Sequence, residues 1–396
     1  MSAPNVFYAV GLDAGSEWTR CVICLLEDNR MRYLGGAAGG SQGWSKGLIA
    51  DQTAVSESMV GVLREAEKNA QVSVDATVVG VGATLRGANC RGLHDLGRVR
   101  VVDQRDVNRA VERAKRVLLP EDSMILQMFP QDFVVDGHPG HRDPRRMIAG
   151  QIEANIHLVM SSRREHDSLV GAVNQAHMAV EETVSEALAA SYAAVLPEDR
   201  REGAALLNIG AQSSELVVYY GNALQLAASL PISGDHFTRD VARGLCISFE
   251  DAASLKYEFG SARADSTAEN CFVEVESRED RDVQRRMLNR ILEARAFDLF
   301  QLVQRELIRI GMDGALMGGM FLAGGAAHLE GMCEVAEEVL RCRVCNALPI
   351  GIQDWPEDVC DPAWATVAGL AMYSAKLKSQ HEIQKQSYGL LGKILK

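Results

Sequence analysis

Two short turns in this 396-residue chain have the composition to hold a phosphate. The first is Asp13-Ala14-Gly15-Ser16, within GLDAGSEWTRCVICLL; the second is Asn208-Ile209-Gly210-Ala211-Gln212-Ser213, within LNIGAQSSELVVYY. Each reads as an apolar strand, a small-residue turn and a second apolar strand. Glycine at Gly15 and Gly210 lets backbone N–H groups approach a ligand closely, with Ser16 and Ser213 beside them. Asp13 offers the hard carboxylate oxygen that magnesium prefers, whereas Asn208 offers a carbonyl oxygen and no negative charge. A third turn, Gly324-Gly325 in MGGMFLAGGAAHLEG, ends an apolar strand and enters a helix with Met332, Val335, Ala336, Val339 and Leu340 at its apolar positions. A plain tight connection would use the same glycines.

The elements that must position these turns follow from their spacing. Asp13 falls against Asn208 and Gly15 against Gly210 at one offset of 195 residues, so the chain carries an internal duplication about half its length. That predicts two related lobes facing each other across a cleft. Apolar residues three and four apart predict helices over 51–70, 103–119, 165–180 and 281–310. Ser248 with Asp251 makes a capping pair for a helix that Gly260 stops. Between 87 and 161 the pattern changes to short strands around one helix, which reads as a compact insertion.

Composition narrows the function. A net charge of −12 argues against a nucleic-acid scaffold, whose affinity comes from basic neutralisation of phosphates. No run of 18 apolar residues is present, and the start MSAPNVFYAVGLD lacks the regions of a signal peptide, so a cytoplasmic protein is expected. Nine scattered cysteines suit thiols in a reducing compartment. Cys21 and Cys24 should face opposite sides of a strand, which argues against a zinc site. His138-Pro139-Gly140-His141 reads as a solvated turn. The arginines between 281 and 295 read as a salt-bridged solvent face, some of which could meet an acidic peptide.

Along nearly its whole length the sequence resembles the FtsA family of bacterial cell-division proteins, within the actin, sugar kinase and chaperone ATPase superfamily. The resemblance is carried by ALAASYAAVLPEDRREGAALLNIGAQSSELVVYYGNALQLAASLPISGDHFTRDVARGL, MFPQDFVVDG, GQIEANIHLV and FLAGGAAHLEGM. It implies an α/β, actin-like (ribonuclease H-like) two-lobed fold with the FtsA-type inserted subdomain. The first lobe would take 1–86 and 162–200, the insertion 87–161, the second lobe 201–234 and 311–378, and a small subdomain 235–310. The last would receive the C-terminal peptide of the tubulin-like FtsZ, and the insertion would make filament contacts and bind later division proteins. The implied cofactor is ATP with magnesium, held by Asp13, Gly15, Ser16, Asn208, Gly210, Ser213, Lys256, Gly324, Gly325 and Ala326, with Asp13 at the metal.

The chain departs from the family pattern at this site. The second turn of the family is similar to DIGGGTTD, so two glycines and the leading carboxylate are missing here. Trp18 stands where a lysine is usual, and Ala253 where a glutamate usually precedes the lysine of the adenosine-side helix. Gln212 adds a Cβ and a polar arm where backbone should meet phosphate. These changes read as a nucleotide cleft of weakened or lost affinity, with no catalytic residue assigned. The other reading is that Asn208 caps a turn and ATP binds through backbone donors.

The end, SYGLLGKILK, is a basic amphipathic segment. Tyr388, Leu390, Leu391, Ile394 and Leu395 fall on one arc of roughly 160°, with Lys393 and Lys396 on the other. Nine residues with two glycines are too few to stay helical alone, so residues 379–396 are expected to form a linker and a tail that orders on an anionic membrane. A terminal helix packed on its own body, or an unstructured end, is the plainer alternative. The resemblance then implies a protein at the cytoplasmic face of the inner membrane at the septum, which tethers FtsZ filaments and self-assembles. An active ATPase or phosphotransferase of the superfamily, and a PilM-like pilus adaptor, are the competing readings.

Overall fold

The pattern at residue 13 recurs at residue 208 because two sheets repeat one topology. The computed structural model describes residues 6–394 except 29, 83, 266–270 and 275–281, and of 382–394 the backbone alone. The first lobe runs through β1 (Val6–Ala14), β2 (Trp18–Glu27), β3 (Arg30–Gly40), a small hairpin of β4 (Trp44–Ser45) and β5 (Leu48–Ile49), then α1 (Gln52–Ala70) and β6 (Ala76–Val81). The insertion follows as β7 (Arg86–Val101), α2 (Gln104–Ala114), β8 (Ser123–Val135), β9 (His138–His141) and β10 (Ile148–Ser162). The chain returns through α3 (Arg163–Gln175), β11 (Ala179–Ser185) and α4 (Glu186–Ala194), and α5 (Pro197–Glu202) leads out of the lobe. The second lobe begins with β12 (Ala204–Ile209), β13 (Ser214–Tyr220), β14 (Ala223–Leu230), α6 (Gly234–Leu245) and α7 (Phe249–Phe259). It ends with β15 (Phe272–Val273), β16 (Val283–Gln284), α8 (Arg285–Arg309), β17 (Gly319–Ala323), α9 (Met332–Leu340), β18 (Val344–Asn346) and α10 (Ala365–Ile394).

The first sheet has the order β11-β6-β1-β2-β3, and the second repeats it as β18-β17-β12-β13-β14. In each, a three-stranded antiparallel meander is extended by two parallel strands. Strands covered on both faces read as continuous apolar runs, and all six residues of β12 are buried. The alanine-rich α4 and α10 cross between the lobes, where a Cβ on Gly369 would lie 1.7 Å from the Ala189 carbonyl oxygen. Glycine is required there for the helices to approach. Cys21 and Cys24 pack into separate cores on the two faces of β2.

Several boundaries differ from the sequence pattern for local reasons. The helix expected over 103–119 ends at Ala114; Val117, Leu118 and Leu119 stay exposed, and Pro120 disfavours helical backbone at the residue before it. The helix expected over 165–180 ends at Gln175, because His177 takes φ 62° and Ala179 joins β6 in the sheet. The insertion's strands are long, not short. β7 buries Cys90, Gly92, His94 and Leu96 alternately, and the intervening polar residues and glycines read as breaks when they were only its solvent face. His138–His141 is an exposed edge strand; the turn lies one step earlier, at Asp136-Gly137, where φ is 46° and 86°.

Two long-range features were not legible. The insertion interrupts the first lobe, yet its sheet joins the second, giving nine strands in the order β18-β17-β12-β13-β14-β7-β10-β8-β9. At the other end, α10 runs without a break from Ala365 to Ile394, where an isolated tail was expected. Its buried first turns, with Val367, Ala368, Leu370 and Ala371, provide the nucleus that a nine-residue segment lacks. The side chains of Tyr388, Leu390, Leu391, Lys393 and Ile394, and all of Leu395 and Lys396, lie outside the described residues.

Candidate functional site

The duplicated hairpins meet at a cleft of about 930 Å³ of empty space, open to solvent, between the lobes. Asp13, Gly15, Ser16, Asn208, Gly210, Ser213, Gly324 and Gly325 all line it. Lys256 and Ala326 are not among its lining residues. Lys256 lies beside it, its Nζ donating to Thr238 Oγ1 at 2.7 Å, and Ala326 sits in the 3₁₀ turn that follows β17. Burial pushes the Lys256 ammonium down from its ordinary range, while Glu17 and Asp235 pull it back.

Register fixes what each hairpin presents. In the first, Asp13 is paired across the strands with Arg20; in the second, Asn208 is paired with Glu215. The Gly210 N–H donates to the Ser213 carbonyl at 2.8 Å and closes the second turn. Gly324 has φ 86°, and a Cβ there would lie 2.5 Å from the Ile209 carbonyl oxygen and 2.7 Å from Asn208 Oδ1. Only glycine lets β17 end this close to the second turn.

The sequence reading missed Glu186. It is the first residue of α4, behind the capping Ser185, and it lines the cleft beside Asn208, whose Nδ2 lies 3.5 Å from Glu186 Oε2. Glu215 sits behind it, accepting hydrogen bonds from the Ala187 N–H at 2.9 Å and Ser185 Oγ at 3.2 Å. Three carboxyls are thus brought together, Asp13 and Glu215 buried and Glu186 half-buried at the cleft wall. Burial pushes Asp13 up to about 6, against the pull of Arg20. It pushes Glu215 up to about 8, against its two hydrogen bonds. Glu186 is raised well above its ordinary value by burial and then by Glu215 and Asp13. Asn208 supplies a donor at this corner, where aspartate would add a further negative charge. The available signal for Glu186 was an acid opening a helix directly after a buried strand.

Arg20 was also missed. It lines the cleft, its Nε is buried with no hydrogen-bond partner among the described residues, and its guanidinium lies 5.9 Å from the Trp364 ring centroid. The lysine absent at Trp18, which is exposed, has a cationic counterpart here, two residues further along β2. The donor set therefore fits a magnesium nucleotide in part: carboxylates, two glycine turns and one guanidinium are present, and the carboxylate at 208 is not.

Two lobes of duplicated topology, with hairpin turns facing one cleft and a glycine turn after β17, define the actin-like ATPase fold class. Among solved structures, the chain is similar to the PilM-PilN type IV pilus biogenesis complex at TM-score 0.67 and 16% identity, covering 93% of this chain and 98% of that one. It is also similar to MreB5 of Spiroplasma citri bound to ADP at TM-score 0.55 and 11% identity, covering 94% and 98%. At these identities the likeness is one of fold. Sequence comparison is sharper: the profile of Cell division protein FtsA matches residues 205–369, and that of the SHS2 domain inserted in FTSA matches 82–160. Cell division protein FtsA of Pseudomonas aeruginosa is 30% identical over 390 residues, covering 96% of this chain and 90% of the relative. That of Escherichia coli K12 is 28% identical over 405 residues, covering 98% and 95%. The chain belongs to the FtsA family of cell division proteins.

Proposed function

We propose that this chain tethers an FtsZ filament to the cytoplasmic face of the inner membrane at the septum. The observation that carries the reading is α10, one helix that runs from the core between the lobes to Ile394. Among the described residues no helix is long and apolar enough to cross a membrane, so contact would be made along a face. The tail sequence sets Leu390, Leu391 and Ile394 against Lys393 and Lys396. Each lysine near an anionic leaflet contributes ~1 kcal/mol, and grazing aliphatic side chains add to it. One copy binds reversibly; a self-assembled row of copies gains avidity, which couples polymerisation to recruitment.

The FtsZ peptide is assigned to residues 235–310, and later division proteins to the insertion. A shallow groove along α6 and α8 carries Arg243, Arg290 and Arg295 around Met287 and Ile291, a mixture suited to an acidic peptide with apolar anchors. Arg295 already pairs with Asp240 and Asp298.

Magnesium-ATP is the cleft's proposed ligand, at weakened affinity. Asp13 and Glu186 would orient the cation's waters, the turns at Gly15-Ser16 and Gly210 to Ser213 would take the phosphates, and Gly324-Gly325, with Lys256 and Ala326, would flank the nucleoside. Hydrolysis is a second reading that Glu186 favours by its position. The contact of Glu186 with Asn208 favours a positioning role and binding alone.

Sedimentation with vesicles containing phosphatidylglycerol tests the tether. The full chain should pellet with them, and deletion of residues 388–396 should reduce pelleting at least about tenfold. Equal pelleting of the two proteins would remove the tail from the mechanism.

A further inference from the structure

The small hairpin β4 and β5 roofs the cleft: Trp44, Gly47, Leu48 and Ile49 belong to the first lobe and line the cavity. Its register pairs Trp44 with Ile49 and Ser45 with Leu48, leaving Lys46 and Gly47 as the two-residue turn, with φ 53° and 78°. Positive φ at both positions is the geometry of a tight hairpin turn, and the Gly47 N–H has no partner within the hairpin. It donates instead across the cleft to Gln212 Oε1 at 2.7 Å. The turn that carries Gln212 is itself tied to the second lobe, where the Asp235 N–H at the start of α6 donates to the Ala211 carbonyl at 2.7 Å. Gly47 is buried under this contact, while Lys46 and Leu48 beside it are exposed.

We infer that Gln212 is a latch, a positioning residue that holds the roof hairpin of the first lobe against the second lobe when the cleft is empty. The amide oxygen spans the gap from a turn anchored to α6 of the second lobe. A side chain of this chain therefore does what a ligand touching both lobes would otherwise do. The first hairpin offers the control: its residue at the equivalent position, Glu17, is exposed. The latch makes lobe closure independent of ligand, and a phosphate entering between the turns must first displace the amide. The second consequence rests on the nucleotide reading above; the first does not.

Amide hydrogen exchange on the full, ligand-free chain tests the latch directly. In Gln212→Gly, exchange across residues 43–50 should quicken about tenfold, the scale of one or two neutral hydrogen bonds, while the buried turns of α1 keep their protection. Gln212→Met keeps the arm's length without its polar atoms and should exchange as fast. Unchanged exchange in Gln212→Gly, or full protection in Gln212→Met, overturns the latch. Titration with magnesium-ATP is the separate arm, with at least about fivefold tighter binding expected in both variants. If exchange quickens and neither variant nor natural protein binds ATP, the latch stands and the nucleotide reading falls. If exchange quickens and affinity is the same in all three, the latch stands and its control over ligand entry is overturned.

Discussion

The two hairpins at the cleft share strand order, register and offset, and differ in charge. The first sets Asp13 against Arg20, an acid beside a base; the second sets Asn208 against Glu215. The carboxylate missing from position 208 has its counterpart one strand over, buried behind Glu186 and held by the first turn of α4. Seen this way, the asparagine is one half of a redistribution. It keeps Glu186 and Glu215 from meeting a further acid on the second lobe, and Arg20 offsets Asp13 on the first. Packing differs as well. Gly11 of β1 lies under the backbone of α10, whereas its counterpart in β12 is Leu206, whose side chain is buried in the cluster that β12 shares with α4 and α10. A duplicated backbone thus carries two divergent halves: one lets a helix backbone come close, the other meets the helices between the lobes with a side chain.

Exchanging residues between the halves breaks or sharpens this contrast. The largest effect is expected for Gly11→Leu, which makes β1 resemble β12. A Cβ there would stand 2.5 Å from the Val367 carbonyl oxygen and 2.6 Å from the Ala371 nitrogen, backbone atoms that cannot step aside. The variant should lose about 3 kcal/mol or more, read as a fall in denaturant midpoint or failure to fold.

The next concerns Glu215. Its carboxyl titrates at about 8 in the folded chain against the ordinary value of 4.5. Between those values the folded state holds a proton the unfolded state has released, so its contribution to stability falls as pH rises through that window and is flat above it. Glu215→Gln removes this slope and should gain roughly 2 to 4 kcal/mol on the natural protein between pH 5 and pH 8.5. Parallel unfolding curves at the two pH values check it; an unchanged slope would mean that Glu215 ionises freely in the fold. The smallest effect belongs to Glu17→Ala. Glu17 matches Gln212 in position but is exposed, so the change should stay within about 0.5 kcal/mol and leave exchange at residues 43–50 untouched.

What was readable in the sequence was local. The strands flanking Asp13 and Asn208 declared themselves by apolar runs, the cap at Ser248 by its side chain, and the helix end at Gly260 by its residue type. Of the eight positions that line the cleft, Asp13, Gly15, Asn208 and Gly210 were found because turn chemistry repeats at one offset, Ser16 and Ser213 as their neighbours, and Gly324 and Gly325 from a third glycine turn. Glu186 and Arg20 were not, since neither belongs to a turn: one opens a helix, the other sits inside a strand, and both positions are common for their residue types. Lys256 and Ala326, taken from the family pattern, fall beside the cavity and not on it.

The sequence by itself determined the duplicated elements, the chemistry of the two turns and the amphipathic order of the tail. These depend on backbone periodicity and on neighbours within a few residues, which any stretch of chain expresses wherever it is placed. Tertiary structure alone decided that the insertion extends the second sheet, that α10 supplies the nucleus for the tail, and that three acids share one corner of the cleft. It also decided that Gln212 reaches Gly47 across 165 residues. Such contacts depend on which faces are buried against which, and burial both raises the acids' affinity for protons and makes an unpaired amide costly.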